Sequence, residues 1–376
     1  MQLDHFKKRK WLEDEKEFAL SLYYISPKAY VFLRNTKKFA LPCVTLIRKW
    51  INELQLTPGI NPQVIDKIAT KVKIINNFEK ECVLMWDEMS IKTILQYNSR
   101  DDLIEGYQDL GELGRTSKFA KYALCFMLRG LKFSWKQPVA YFISNTNIHG
   151  HDLSVLITKV IKSVLDSGLI LRSMVCDQGT TNQKAISLLS ISEERPYFES
   201  GKHKIFFNYD VPHLIKSVRN NLLKQDFIVE EEIISWDVIR ELREVERNNL
   251  CKAAPKLTDR HVNPNNFERM FVSLATQVFS ATVSAALNTG HMTGDLKHPA
   301  CLATATFINR MNNLFDCLNS HRAYDSNPYK SALSESQPQI ESYLRESYSW
   351  LYINGIQFRV LYLLVLQDLD YQLIVY

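Results

Sequence analysis

No two cysteines in this chain are spaced CxxC. The seven present (Cys43, Cys82, Cys125, Cys176, Cys251, Cys301 and Cys317) form no zinc or disulfide pattern, and several lie inside apolar runs. That argues for buried thiols in a reducing compartment. No run of about 20 apolar residues occurs, so no membrane span is expected. The apolar stretch Phe358 to Leu366 is too short for one. The first residues are charged throughout, and no signal peptide is read there. Only 12 Gly and 12 Pro occur in 376 residues, with no low-complexity tract and no internal repeat. No GxxxxGK[ST] loop is present, so the residues alone do not point to a nucleotide.

What is there is globular in balance. The chain is 46% hydrophobic and 23% charged, enough for a sizeable core, and its length suggests two or three domains of roughly 100–200 residues each. Charge is unevenly placed. Residues 1–50 hold 11 Lys/Arg against 5 Asp/Glu, a net of +6, while the whole chain carries +5. A basic N-terminal module on a neutral body suggests a polyanion partner at that end. The cluster KKRK at 7–10 is either a solvated helix start or a nuclear import signal. Ser26-Pro27 reads as a helix cap with Pro in the first turn. Leu41-Pro42 opens a second helix, with Val44, Ile47, Trp50 and Ile51 on one face and Arg48 and Lys49 on the other. Two short helices, the second basic, fit a helix-turn-helix whose Arg48 and Lys49 contact DNA; a plain helical hairpin is the alternative.

Residues 61–80 read as helix or linker. Apolar runs and alternation then predict strands at 82–87, 92–98, 103–108, 137–144, 170–177 and 204–208, with a buried helix or strand at 119–130. Helical spacing marks 151–167, and helices also follow the strands that end at 177 and 208. Strands alternating with helices predict a mixed α/β layered core. Beyond about residue 225 strand signals cease. Helices are expected over 229–245, 267–287 and 302–318, which makes this section all-helical, and 320–339 includes a loop.

Two stretches carry the chemistry. CVLMWDEM (82–89) and ILRSMVCD (170–177) are apolar strands that each end in a carboxylate, Asp87 and Asp177, 90 residues apart. Carboxylates at strand ends can hold two Mg²⁺ ions, which activate an oxygen nucleophile and stabilise a leaving oxygen in phosphodiester chemistry. The plain alternative is that each Asp ends a strand or caps a helix. Glu88 falls on the opposite face from Asp87 by strand alternation. His213, after Asp210, is either structural or close to the metals.

The stretches WDEM (86–89), GLKFSWKQPVAY (130–141), VCDQGTTNQ (175–183), DVPHLIKSVRNNL (210–222), NPNNFERM (263–270), TGDLKHPA (293–300) and LFDCLNS (314–320) together resemble transposases of the P-element and THAP-domain group. They occur in the family's order over most of residues 20–350. The resemblance implies an α/β RNase H-like core, a mixed sheet with flanking helices, using two Asp and a Glu. It also implies an all-helical insertion that binds GTP and an N-terminal helix-turn-helix for transposon ends. The corresponding boundaries are 1–60 for the DNA-binding region, 61–225 for the first part of the core, 226–350 for the insertion and 351–376 for a truncated return toward the core. Asp87 and Asp177 match the two catalytic, metal-binding aspartates. Phe315 would stack on guanine, Asp316 would accept from its ring N–H and amino group, as an acceptor-only carboxylate can, and Asn319 would add a base contact. Lys256 and Val272 would meet the phosphates and nucleotide.

The sequence departs from the family in three places. The zinc-binding THAP module is not in it. Phe271 stands where the family tends to have a basic residue. The family's third acid, in a motif NQDxxEN, is not reached: GIQFRVLYLLVLQDLDYQLIVY is similar to its approach, and the last carboxylates, Asp368 and Asp370, lie in another context. The expectation is a nuclear transposase or transposase-derived protein that binds Mg²⁺, GTP, and transposon-end and target DNA. Two of the three acids are present, and catalysis is expected to be impaired. It would act as a homo-oligomer or with a full-length transposase, without a membrane partner. The alternatives are a catalytically inactive, domesticated or repressor-like binding protein, or a truncated gene model.

Overall fold

The computed structural model describes residues 10–36, 39–53, 57–99, 102–192, 194–247, 249–320, 325–331 and 337–353. The chain divides into two compact units at residue 57.

The first unit is three helices, α1 (Glu13–Ile25), α2 (Pro27–Asn35) and α3 (Val44–Glu53). Ser26 caps α2 as expected: its Oγ accepts from the Ala29 N–H at 3.2 Å, with Pro27 in the first turn. Ala19, Tyr30 and Ile47 form a small core, one residue from each helix. Tyr30 stacks edge-on to Tyr23 at 5.5 Å, and its hydroxyl donates to the Pro42 carbonyl at 2.8 Å. Burial pushes this phenol above its ordinary pKa. Ile51, expected on the apolar face of α3, is exposed.

The second unit begins with β1 (Gly59–Ile60), α4 (Pro62–Val72) and α5 (Asn77–Lys80). The sheet follows: β2 (Glu81–Ser90), β3 (Gln96–Asn98), β4 (Leu103–Glu105), β5 (Tyr107–Asp109), β6 (Arg115–Phe119), β7 (Tyr122–Gly130) and β8 (Lys136–Ser144). After α6 (Gly150–Asp166) come β9 (Ile170–Cys176), α7 (Thr180–Leu188), β10 (Tyr197–Ser200), β11 (His203–Tyr209) and α8 (Val211–Leu222). Apart from β3 and β4, which pair with each other as a separate two-stranded sheet, these strands form one mixed sheet in the order β10-β11-β9-β2-β7-β8-β5-β6, with β1 also on β8. β2, β7 and β8 are antiparallel neighbours, whereas β9 lies parallel to β2 and β11 parallel to β9.

β2 is central, and its burial explains its composition. Cys82, Val83, Leu84 and Trp86 are all buried, because both faces are covered along the first half of the strand, and such strands read as continuous apolar runs. The cover ends at Asp87, which is exposed. α6 supplies a second layer: Leu153, Leu156, Ile157, Val160, Ile161 and Val164 are buried at helical spacing, each worth about 1.5–3 kcal/mol relative to exposure.

Between β2 and β7 the sequence expectations are too long. The strand expected at 92–98 is only β3, and that at 103–108 is split into β4 and β5 at Gly106, which has φ +104°. A Cβ there would lie 2.1 Å from the Ile94 carbonyl oxygen, so the bend requires glycine.

The helical part comprises α9 (Trp236–Arg247), α10 (Asp259–Val262), α11 (Val272–Val278), α12 (Ala281–Thr293), α13 (Cys301–Leu318) and α14 (Pro338–Ile353), preceded by the hairpin of β12 (Phe227–Val229) and β13 (Glu232–Ile234). That hairpin takes the start of the helix expected over 229–245; Glu230 and Glu231 both have positive φ and make its tight turn. The single helix expected over 267–287 is broken at Phe279 and Ser280, where the Ser280 Oγ caps α12. Phe307 of α13 packs against the rings of Phe227, Phe279 and Trp350. The buried residues of sheet and helices form one contiguous core. Among the described residues no helix is long and apolar enough to cross a membrane.

Candidate functional site

β2 and β9 run side by side in the same direction, and Met85 is the partner of Val175. Asp87 and Asp177 each lie two residues further on, so they reach the same level at the open end of the sheet. On the other side of β9, Tyr209 of β11 is the partner of Cys176. The next residue, Asp210, donates its N–H to the Cys176 carbonyl at 2.8 Å. Three carboxylates therefore form a row across the ends of three adjacent parallel strands. The burial of Cys176 beneath them raises its thiol pKa, and the charges of Asp177, Asp210 and Asp87 add to the effect.

Asp177 is held on one side. Its Oδ1 accepts from the Gly179 N–H at 3.0 Å and from Asn182 Nδ2 at 2.5 Å. Asn182 is fixed in turn by Trp86, whose Nε1 donates to Asn182 Oδ1 at 2.9 Å. A Cβ on Gly179 would lie 3.1 Å from Asp177 Oδ1, which explains the glycine in CDQG. Asp87 Oδ1 accepts from the Glu88 N–H at 2.8 Å. The other oxygen of each aspartate makes no hydrogen bond to a described residue and is available to a ligand.

Asp210 has a different occupation. It caps α8: its Oδ2 accepts from the His213 N–H at 3.2 Å and meets His213 Nδ1 at 2.5 Å. Such a cap is worth about 1 kcal/mol. Glu88 lies on the other side of the pleat, as alternation requires. Ser144 Oγ donates to it at 3.5 Å. Burial raises its pKa, while a bond from the Ile148 backbone N–H opposes the rise. Lys216, half-buried on α8, has its pKa lowered by burial, against the opposing pull of Asp177, Asp210 and Asp87.

Among the described residues no three His, Cys, Asp or Glu side chains are arranged to hold an ion. Two adjacent aspartates with one free oxygen each nevertheless fit Mg²⁺, which takes one or two carboxylates and completes its octahedron with water and substrate oxygens. Asn182, Asp210 and Lys216 gained no role from the sequence, although all lie in the stretches VCDQGTTNQ and DVPHLIKSVRNNL. The residue types were legible, but their convergence depends on strand order.

The guanine candidates cluster at the end of α13. Phe315 is half-buried against the core, Asp316 is half-buried, and Asn319 is the residue that ends the helix. Burial raises the Asp316 pKa; Lys330 Nζ, 3.9 Å away, and the Asn312 amide, 3.4 Å away, act in the opposite direction. Val272 is half-buried at the start of α11, and Lys256 is exposed in the connection before α10, with no hydrogen bond or ion pair to the α13 group. Phe271, the residue before Val272, packs edge-on to Phe267 at 5.2 Å. Arg48 and Lys49 are exposed side by side on α3. Lys7, Lys8 and Arg9 of the basic cluster, and Asp368 and Asp370, lie outside the described residues.

Three family models match. Residues 2–50 match the transposable element P transposase-like HTH domain, 56–190 the TNP-like RNase H N-terminal domain and 212–332 the TNP-like GTP-binding insertion domain. The chain is 30% identical over 311 residues to the transposable element P transposase of Drosophila melanogaster, covering 82% of this chain and 38% of that protein. It is 26% identical over 346 residues to the DNA transposase THAP9 of Homo sapiens, covering 88% of this chain and 37% of that protein. It thus spans less than two-fifths of the length of these relatives. A solved structure, the Drosophila P element transposase strand transfer complex, superimposes with a TM-score of 0.74 at 25% identity, over 96% of this chain and 85% of that one.

Proposed function

Because this chain belongs to the P-element transposase-like family, we propose that it supplies the DNA-, divalent-metal- and GTP-binding parts of a DNA transposase. The observation that carries this reading is the matched level of Asp87 and Asp177 on adjacent parallel strands. Bound Mg²⁺ would contribute activation of an oxygen nucleophile and stabilisation of the leaving oxygen in phosphodiester cleavage and strand transfer. The chain's own residues prepare that chemistry. Asp87 and Asp177 present one free oxygen each. Gly179, Asn182 and Trp86 fix the orientation of Asp177, as outer partners do for metal-binding carboxylates. Arg48 and Lys49 on α3 contact the DNA backbone. In the insertion, Phe315, Asp316 and Asn319 would receive guanine, and Val272 and Lys256 would meet the rest of the nucleotide.

The partners in this reading are transposon-end and target DNA, and a second copy of the chain or a longer transposase. Its place of action is the nucleus, where that DNA is. The test is anisotropy of a labelled short DNA duplex with and without Ca²⁺, which binds without supporting cleavage. The wild-type chain should show a Ca²⁺-dependent gain in affinity that Asp87→Asn and Asp177→Asn each abolish. A gain that survives both substitutions would refute the carboxylate pair as the DNA-linked metal site.

A further inference from the structure

The side of α8 that is not packed into the core carries His213, Lys216, Ser217 and Asn220, all half-exposed at helical spacing, while Val211, Leu214, Ile215, Val218, Arg219 and Leu222 are buried. The Asp210 cap and the bond from its N–H to Cys176 fix the start of this helix beside Asp177. Lys216, one turn beyond His213, therefore projects along the carboxylate row. The negative charges of Asp177, Asp210 and Asp87 act on its ammonium, yet among the described residues it makes no hydrogen bond or ion pair. Asp210, the nearest acid in sequence, is already engaged with His213. A half-buried ammonium beside three acids and bonded to none has its donors left for something else. The group that an Asp87–Asp177 metal site would bring there is a phosphate.

We propose that Lys216 binds a non-bridging oxygen of the DNA phosphate presented to Asp87 and Asp177. The inference rests on the DNA and metal reading given above. An ammonium suits the role, because it acts as a compact point charge with three donors on a flexible stem. Its place beside the acids also limits repulsion between the carboxylate row and an approaching polyanion.

The test uses the whole chain with Arg48→Ala and Lys49→Ala as background, so that binding through α3 does not mask the site. Affinity for a short DNA duplex in Ca²⁺ is measured against salt for Lys216, Lys216→Gln, Lys216→Arg and Asp177→Asn, and Mn²⁺ affinity is measured without DNA. Loss of one charge-assisted bond should weaken DNA binding by Lys216→Gln on the order of tenfold and lower the salt slope by about 0.9. Lys216→Arg should stay close to wild type. Mn²⁺ affinity should hold or rise in Lys216→Gln, because a competing positive charge has gone. Undiminished DNA binding and slope in Lys216→Gln would overturn the proposal. So would a fall in its Mn²⁺ affinity, which would make Lys216 a structural support of the acids. If Asp177→Asn has no effect while Lys216→Gln weakens binding, the metal reading fails and the phosphate contact stands. If neither has an effect, both fail.

Discussion

Trp86 and Asn182, 96 residues apart, share a hydrogen bond of 2.9 Å from indole Nε1 to amide Oδ1. Through it the strand that carries Asp87 sets the orientation of Asp177. Removal of such an outer partner typically costs 10–100-fold in metal affinity. Asn182→Leu should therefore weaken Mn²⁺ binding by about that factor while the thermal transition stays near wild type. Trp86→Phe, which keeps most of the packing, should give a smaller loss. Mn²⁺ titration of the two variants separates these outcomes; equal, unchanged affinities would show that Asp177 needs no such support.

Asp316 should control guanine binding. Loss of its charged acceptor in Asp316→Ala removes bonds worth about 1.5–3 kcal/mol, so GTP affinity should fall at least tenfold, with ATP little changed. The sign of the pH dependence follows from its raised pKa. The carboxylate accepts from guanine only when ionised, so GTP affinity should drop as the pH falls, starting above the range of an ordinary aspartate, near 3.9. A pH series of GTP titrations in the folded range checks this; a flat profile in the wild-type chain, or a pH dependence that persists in Asp316→Asn, would contradict the assignment.

Arg48 and Lys49 make a prediction about salt. Each phosphate contact contributes about 0.9 to the slope of log affinity against log salt. The double alanine variant should lose up to about 1.8 from that slope, measured by anisotropy on duplex DNA. An unchanged slope would remove α3 from the DNA interface.

Phe307 tests whether sheet and helices share one core. It is 2% exposed and meets three aromatic rings, Phe227 of β12, Phe279 between α11 and α12, and Trp350 of α14. Phe307→Ala should cost about 3–5 kcal/mol. Because the core is contiguous, the loss should appear in the same denaturant transition that reports the environment of Trp86. Two separated transitions, with only one shifted, would show that the helical part folds independently.

Much of this arrangement was legible in the residues. The apolar run into Asp87, its counterpart into Asp177, the Ser26 cap and the α6 stripe all follow from local spacing, because each is decided within one element. What failed to show was set by other chain segments or by single backbone conformations. Gly106 divides one expected strand, and Ser280 divides one expected helix. Glu230 and Glu231 turn a hairpin where charge spacing suggested helix. The carboxylate row belongs to the same class: Asp210 and Lys216 look like an ordinary cap and an ordinary surface lysine until β11 is placed beside β9. Phe315, Asp316 and Asn319 have no local pattern that separates them from any amphipathic helix, and only the family resemblance singled them out.

The central claim is that Asp87 and Asp177 form one divalent-cation site. Fe²⁺ in place of Mg²⁺, with ascorbate, generates hydroxyl radicals that cut the nearest backbone. The account predicts cuts close to residues 87 and 177 in the wild-type chain, both suppressed by excess Mg²⁺ and both lost together in Asp87→Asn or in Asp177→Asn. Cuts at one position that survive substitution at the other, or no cuts at either, would contradict it.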